Sequence, residues 1–349
     1  MKKIVALLLS SVMLFAFSAC GKSSEGEGDK TVLNVYNWGD YIEPELLDEF
    51  TEQTGIKVNY EEYATNEEML AKVQSGTTAY DIIFPSEYMV EYMMANDLLE
   101  EINYDNIPNF ANIDDRFKNL SYDPGSKYSV PYLWGTLGIL YNKERVDTTI
   151  DSWEDLWDEK YADSIVMLDS SRDTIAAALL KLGYSINTQN LDELEKAKQE
   201  LIKQKPIVRS YEVDNYKNSM VSGELSMVLT WSGDAMSLMA ENEDLQYVIP
   251  KEGTNLWFDA ICIPKTSKNK EAAEKFINFL CDAEVAAKNA DYIKYSTPNK
   301  EALAFLAEEE VNNPYMYPTQ SLEELGEVFL DLGEFTGEYD RVWTEIKSY

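Results

Sequence analysis

Tyr128-Ser129-Val130-Pro131-Tyr132-Leu133-Trp134-Gly135-Thr136-Leu137-Gly138-Ile139-Leu140-Tyr141 is the stretch on which the reading of the fold turns. It is apolar and is broken by Gly135 and Gly138. It reads as an extended crossover that carries the chain from one lobe to a second. Leu256 to Ile263 is a second apolar run and reads as the return crossing. Two lobes joined by two crossings describe a hinged clamshell.

Strand and helix signals alternate on both sides of the first crossing, which places the chain in the α/β class. Thr31–Tyr36 alternates as a strand, and Pro44–Thr54 presents Leu46, Leu47 and Phe50 on one helical face, with Gly55 as a stop signal. Ile56–Tyr60 and Asp81–Phe84 read as strands, and Asn66 opens a helix that ends near Gly76. Beyond the crossing, Ile165–Leu168, Leu225–Thr230 and Leu245–Ile249 read as strands, and Arg172–Leu182, Leu191–Lys203, Glu271–Cys281 and Ala283–Asp291 as helices. The tail from Ser321 reads as helical, with Val342 and Trp343 packing back onto the second lobe.

The N-terminus adds an address. Lys2 and Lys3 precede an apolar run from Ile4 to Phe17, followed by Ser18, Ala19, Cys20 and Gly21. This is a positive segment, an apolar segment and a small-residue cleavage site. A Cys directly after two small residues resembles a lipobox, although Phe17 stands where Leu is usual. The expected organisation is a signal peptide over 1–19 and a lipidated tether over 20–30 beginning at Cys20. One lobe is expected from 31–136 with 258–303, and the other from 137–257 with 304–349. The expected location is extracytoplasmic, anchored to the cell membrane or periplasmic.

Among 349 residues, 63 Asp and Glu stand against 30 Lys and Arg, with no His and a formal net charge of −33. Such a surface repels nucleic acid and anionic lipid and attracts cations. With no imidazole and no Cys-x-x-Cys, zinc and copper sites are not expected. Cys262 and Cys281 both sit in apolar runs and read as buried small hydrophobes. No cofactor is expected.

The acids recur beside aromatic residues where strands should end. Trp38, Asp40 and Tyr41 follow the first strand, Ser86 and Tyr88 follow Asp81–Phe84, and Asp173 follows Ile165–Leu168. Trp231 and Asp234 follow Leu225–Thr230, and Trp257 and Asp259 lie on the return crossing. Ligands of open α/β sheets bind beyond the carboxyl ends of strands, so these segments are expected to converge on one cleft. Each acid also has a local explanation. Asp40 suits a turn, Asp173 a capping pair with Ser170, and Asp234 the first turn of a helix. Taken together, carboxylates supply charge and acceptors, and aromatic faces supply negative potential. An organic cation with apolar carbon between charged amines meets both demands. Helix N-termini are expected to keep these acids ionised near neutrality.

The chain is also similar to a known family, the spermidine- and putrescine-binding components of ABC transporters, over roughly Val32 to Tyr349. The resemblance rests on Tyr36-Asn37-Trp38, Tyr80-Asp81-Ile82-Ile83-Phe84-Pro85-Ser86, Tyr128 to Gly135 and Tyr295-Ser296-Thr297-Pro298-Asn299. Asp151 to Trp157 and Ile249-Pro250-Lys251-Glu252-Gly253 add to it. It implies a type II periplasmic-binding-protein clamshell, a polyamine ligand, a permease partner, a monomer and no catalysis. By position it implies that Trp38, Tyr41, Ser86 and Tyr88 line the ligand from the first lobe, and that Asp173 meets an amine. Trp231 and Trp257 would wall the ligand, Asp259 would anchor an amine at the hinge side, and Tyr295 would add a contact. Asp40 and Asp234 resemble the putrescine-type pattern. Ser170 and Phe329 depart from the spermidine-type pattern, which has Asp and Gln there. The residues leave two other readings open: a secreted glycoside hydrolase, or a receptor for a sugar, an amino acid or ferric iron on the same fold.

Overall fold

The computed structural model describes residues 31–349. The expected signal peptide, Cys20 and the tether lie outside the described residues. Ten strands lie among the described residues: β1 (Val32–Trp38), β2 (Lys57–Tyr63), β3 (Ile82–Ile83), β4 (Ser129–Asn142), β5 (Ile165–Leu168), β6 (Val208–Glu212), β7 (Met227–Trp231), β8 (Leu245–Val248), β9 (Thr254–Cys262) and β10 (Gly326–Val328). Their main path is β2-β1-β3-β9-β4-β7-β5-β6, with β8 paired to β4 and β10 to β9.

The two long central strands are the two crossings. β4 is buried along its length apart from partial exposure at Tyr141, which explains a run with almost no polar face. Its first half pairs antiparallel with β9, and its second half with β7 and β8. Around this pair stand two parallel triplets, β2-β1-β3 on one side and β7-β5-β6 on the other.

Each triplet has its own hydrophobic core. The first core runs from Leu33 to Trp134 and resumes at Leu256. The second begins at Leu137, continues to Tyr247 and is completed by Met316 and the segment Phe329 to Ile346. β4 therefore leaves one core at Trp134 and enters the other at Leu137, with Gly135 and Thr136 between. This is the mixed architecture of a two-lobed clamshell with two crossover strands.

Strand register sets where the site forms. Ser86, just past β3, bridges antiparallel to Asp259. Trp231, the last residue of β7, pairs with Leu137, and Trp257 pairs with Gly135. The carboxyl ends of both triplets thus point to the middle of the crossings.

Two elements differ from the sequence expectation. β6 carries Arg209 and Glu212, is half-exposed at an outer edge and has no apolar alternation to mark it. The tail from Ser321 is not one helix. A turn at Leu322–Leu325 leads into β10, which pairs with β9 at Thr254–Leu256, and the helix Thr336–Ser348 follows. Backbone pairing to an existing strand outweighs the weak helix propensity of a segment containing Gly326 and Gly333. That last helix buries Tyr339, Val342 and Ile346 in the second core. Cys262 and Cys281 are free and buried. Among the described residues, no helix is long and apolar enough to cross a membrane.

Candidate functional site

β9 organises the site by simple alternation. Asn255, Trp257 and Asp259 are two residues apart, so their side chains share one face of the strand. Asp259 is 7 % exposed. The Tyr41 hydroxyl donates to its Oδ2 at 2.7 Å, and the Ser86 hydroxyl donates to its Oδ1 at 2.7 Å. Burial nonetheless pushes its pKa up to about 6, with the two hydroxyl bonds pulling the other way.

Asp173 approaches from the second triplet. It lies in the first turn of the helix Ser171–Lys181 and is 7 % exposed. The Ser170 hydroxyl donates to its Oδ2 at 2.6 Å. Ser170 stands at the N-cap position, but its side chain caps no backbone amide. It serves the carboxylate instead. Burial raises the Asp173 pKa, against hydrogen bonding from Ser170 and Trp231, the charge of Arg172 and hydrogen bonding from Asn255.

The aromatic residues enclose these acids. The Trp257 and Tyr295 rings meet edge to face at 5.0 Å, and Tyr41 meets Tyr295 at 5.8 Å and Tyr132 at 5.6 Å. Trp38 donates its indole N–H to the Phe84 carbonyl at 2.7 Å, which holds the ring at the end of β1. Tyr88 is packed between the two cores, and its hydroxyl takes a hydrogen bond from Asn66 at 2.9 Å and donates to Glu67 at 3.2 Å. Trp231 is half-buried at the end of β7.

Close approach at two glycines makes this enclosure possible. A Cβ on Gly135 would fall 2.4 Å from the Trp257 ring and 2.5 Å from the Ser232 hydroxyl. A Cβ on Gly233 would fall 1.9 Å from the Tyr295 ring.

Two of the expected acids behave differently. Asp40 is exposed in a turn, with φ 51°, and does not join the enclosed group. Asn and Asp tolerate this left-handed conformation better than most residues, so the turn explanation applies. Asp234 reaches the same region but is already paired, with Lys217 Nζ 3.0 Å from its Oδ1. The Tyr216 hydroxyl donates to its Oδ2 at a long 3.4 Å.

The expectation that helix N-termini lower the pKa values of these acids is also corrected, although a value of about 6 still leaves Asp259 ionised near neutrality. Asp173, Asp234 and Asp259 all have raised pKa values, and burial is the largest cause in each. Removal from water outweighs the helix dipole here.

Two participants escaped the sequence reading. Glu87 is fully buried, and its Oε2 accepts the Phe258 backbone N–H at 2.9 Å. Burial pushes its pKa up to about 8, with Asp259 and Asp173 adding to the rise. As the first helical residue after Ser86, it reads in sequence as an ordinary helix-start acid. Asn255 was detectable from its two-residue spacing to Trp257. Glu87 Oε1, Asn255 Oδ1 and Trp257 Nε1 are all buried without a hydrogen-bond partner. They are three of nine such atoms among the described residues, and their gathering beside clustered acids is what a site shaped for a polar ligand would require.

An amino-acid ligand would need an Arg or Lys in the cleft for its carboxylate. Arg172 neighbours Asp173, but its guanidinium stacks on Phe329 at 4.4 Å and Tyr339 at 5.0 Å and donates to Asn187 at 3.0 Å. Among the described residues, no group of three or more His, Cys, Asp or Glu could hold a metal ion.

Comparison with known proteins bears on the family and the fold. The family model described as bacterial extracellular solute-binding protein matches residues 45–318. The chain is 39 % identical over 332 residues to the spermidine/putrescine-binding periplasmic protein of Salmonella typhimurium, covering 95 % of each. The structure of a Streptococcus pneumoniae spermidine/putrescine ABC transporter substrate-binding protein, PotD, superposes with a TM-score of 0.83 at 42 % identity, over 92 % of this chain and 99 % of that one. The Tp0655 (TpPotD) lipoprotein of Treponema pallidum gives a TM-score of 0.83 at 31 % identity, over 90 % of this chain and 99 % of that one. These likenesses favour a solute receptor over a secreted glycoside hydrolase. The chain belongs to the bacterial extracellular solute-binding proteins.

Proposed function

We propose that this chain captures spermidine or putrescine outside the cytoplasm and delivers it to an ABC permease, without catalysing a reaction. The observation that carries the reading is Asp259, a buried carboxyl held by Tyr41 and Ser86 and flanked by the Trp257 and Tyr295 rings. A buried carboxyl at about 6 is ionised at neutral pH at a cost, and an ammonium ion offsets that cost.

The two lobes comprise residues 31–136 with 258–303, and 137–257 with 304–349. The open form exposes Asp259 on the crossing and Asp173 on the second lobe, and each takes one ammonium. Trp38, Trp231 and Trp257 cover the carbon between the amines, and Tyr88 and Tyr295 close the ends. Closure is favoured only by contacts made to both lobes at once, which is what a ligand spanning Asp173 and Asp259 provides. Charge-assisted hydrogen bonds of about 1.5–3 kcal/mol each, with cation–π contributions of about 0.5–2 kcal/mol, reach the roughly 8 kcal/mol of micromolar binding. Asp234 could also serve as the second anchor, but Asp173 is preferred because Asp234 already holds Lys217.

The mature protein is a monomer held at the cell membrane through a lipid on Cys20. The export pattern at residues 2–21 supports this, and the Treponema relative is named a lipoprotein.

Thermal melting tests the ligand class. Putrescine, cadaverine, spermidine and spermine should include at least one that raises Tm, while maltose, glutamate and ferric iron leave it unchanged. A rise with maltose, glutamate or iron and none with any polyamine refutes the reading.

A further inference from the structure

Lys217 makes contacts that a ligand's own ammonium would make. It belongs to the helix Tyr216–Val221, and its Nζ lies 3.0 Å from Asp234 Oδ1 and 2.9 Å from Asp214 Oδ1. Asp234 stands in the first turn of the helix that follows β7, three residues after Trp231. Its neighbour Gly233 lies against the Tyr295 ring. Burial is the main cause that raises the Tyr295 phenol well above its ordinary value, and Asp234 and Asp259 both add to the rise. Tyr295 therefore neighbours both the carboxyl at the hinge and a second carboxyl whose charge is already matched from within the chain.

An ammonium is a compact charge with three donors, on a lysine stem as on a polyamine. The tethered one has the advantage. Lys217 competes for Asp234 at the high effective concentration of a group tethered beside it, whereas a polyamine must arrive from solution. Its charge also repels a ligand ammonium that approaches the same carboxylate. Asp214 holds it from the outer side, and Tyr216, bonded to Thr230 at 2.6 Å, braces the other oxygen of Asp234.

We propose that Lys217 is a specificity-determining residue, an internal ammonium that occupies the Asp234 subsite and leaves Asp173 and Asp259 as the carboxylates open to ligand amines. The proposal rests on the polyamine reading above. The wild-type cleft then provides for two ammonium groups, and a third amine in the ligand finds no free acid at this end. Removing Lys217 exposes Asp234 to the ligand and rewards the third amine.

The test is calorimetric titration of wild type and Lys217→Met with putrescine and spermidine. The ratio of spermidine to putrescine affinity should rise by about tenfold in Lys217→Met, the worth of one additional charge-assisted contact. In the double variant Lys217→Met, Asp234→Asn the gain should vanish. Should Lys217→Met fail to fold, Lys217→Gln, which keeps polar donors but no charge, reads the same ratio. A purely structural ion pair would change Tm and leave the ratio where it was. An unchanged ratio in a variant that still binds both ligands overturns the proposal alone. A wild type that binds neither ligand overturns the polyamine reading and this proposal with it.

Discussion

Replacing Asp259 by Asn separates binding from stability, because the two should move in opposite directions. The carboxyl sits 7 % exposed between two hydroxyl donors, and burial holds its pKa at about 6 against an ordinary 3.8. The unfolded chain releases this proton near the ordinary value. At about pH 7.5 both states are ionised, and the folded state bears the cost of the buried charge. At about 1.36 kcal/mol per unit, that cost is about 3 kcal/mol. Asn keeps the shape, carries no charge and can still accept from Ser86 while its amide donates to the Tyr41 oxygen. Unliganded Asp259→Asn should therefore melt higher than wild type by a few degrees, for a gain of up to about 3 kcal/mol. The ligand loses its charged partner, so affinity should fall by about 10- to 150-fold, the equivalent of about 1.5–3 kcal/mol. Scanning fluorimetry with and without spermidine reads the first quantity and calorimetry the second. A variant that binds within about threefold of wild type, or that melts lower when empty, refutes the assignment of Asp259 as a strained anchor.

Other perturbations test separate parts of the same picture. The raised pKa of Asp259 gives a signed pH response: the unliganded protein gains stability from this group as pH falls from about 7 towards about 4, since the folded state takes up the proton first. Affinity runs the other way and should weaken by about tenfold between about pH 7 and about pH 5; calorimetry that finds no loss would contradict the anchor. Gly233→Ala places a methyl 1.9 Å from the Tyr295 ring, so melting should drop by about 1–3 kcal/mol equivalent and polyamine affinity with it. Cys20→Ser should release the protein from the membrane fraction of expressing cells without altering the affinity of the purified protein, and continued membrane association would disprove the lipid anchor.

Much of the architecture follows from the primary structure alone, for a definable physical reason. A strand buried on both faces is apolar over most of its length, so β4 and β9 announce themselves as Tyr128–Tyr141 and Leu256–Ile263, with the buried Asp259 as the exception that marks the site. Helix starts and stops are equally local. Gly55 and Gly76 take the left-handed conformation that ends their helices, and Thr65 caps the helix Asn66–Ser75 through its side chain. Edge strand β6 was not legible, because nothing buries it well enough to require a pattern.

The candidate site divides along the same line. The residue types were legible: acids and aromatics at strand ends, with a strand polarity that directs them to one gap. Which acid serves which partner was not. Asp40 and Asp234 look alike in sequence, yet one sits exposed in a turn and the other is claimed by Lys217, which lies seventeen positions earlier in the chain. Protonation was equally hidden. Helix position favours ionised acids, while burial, a property of the assembled lobes, raises Asp173, Asp259 and Glu87. Local sequence determines backbone periodicity, caps and charge count because these depend on near neighbours. Desolvation and ion pairing depend on atoms that meet only when distant segments pack, so tertiary structure alone decided them.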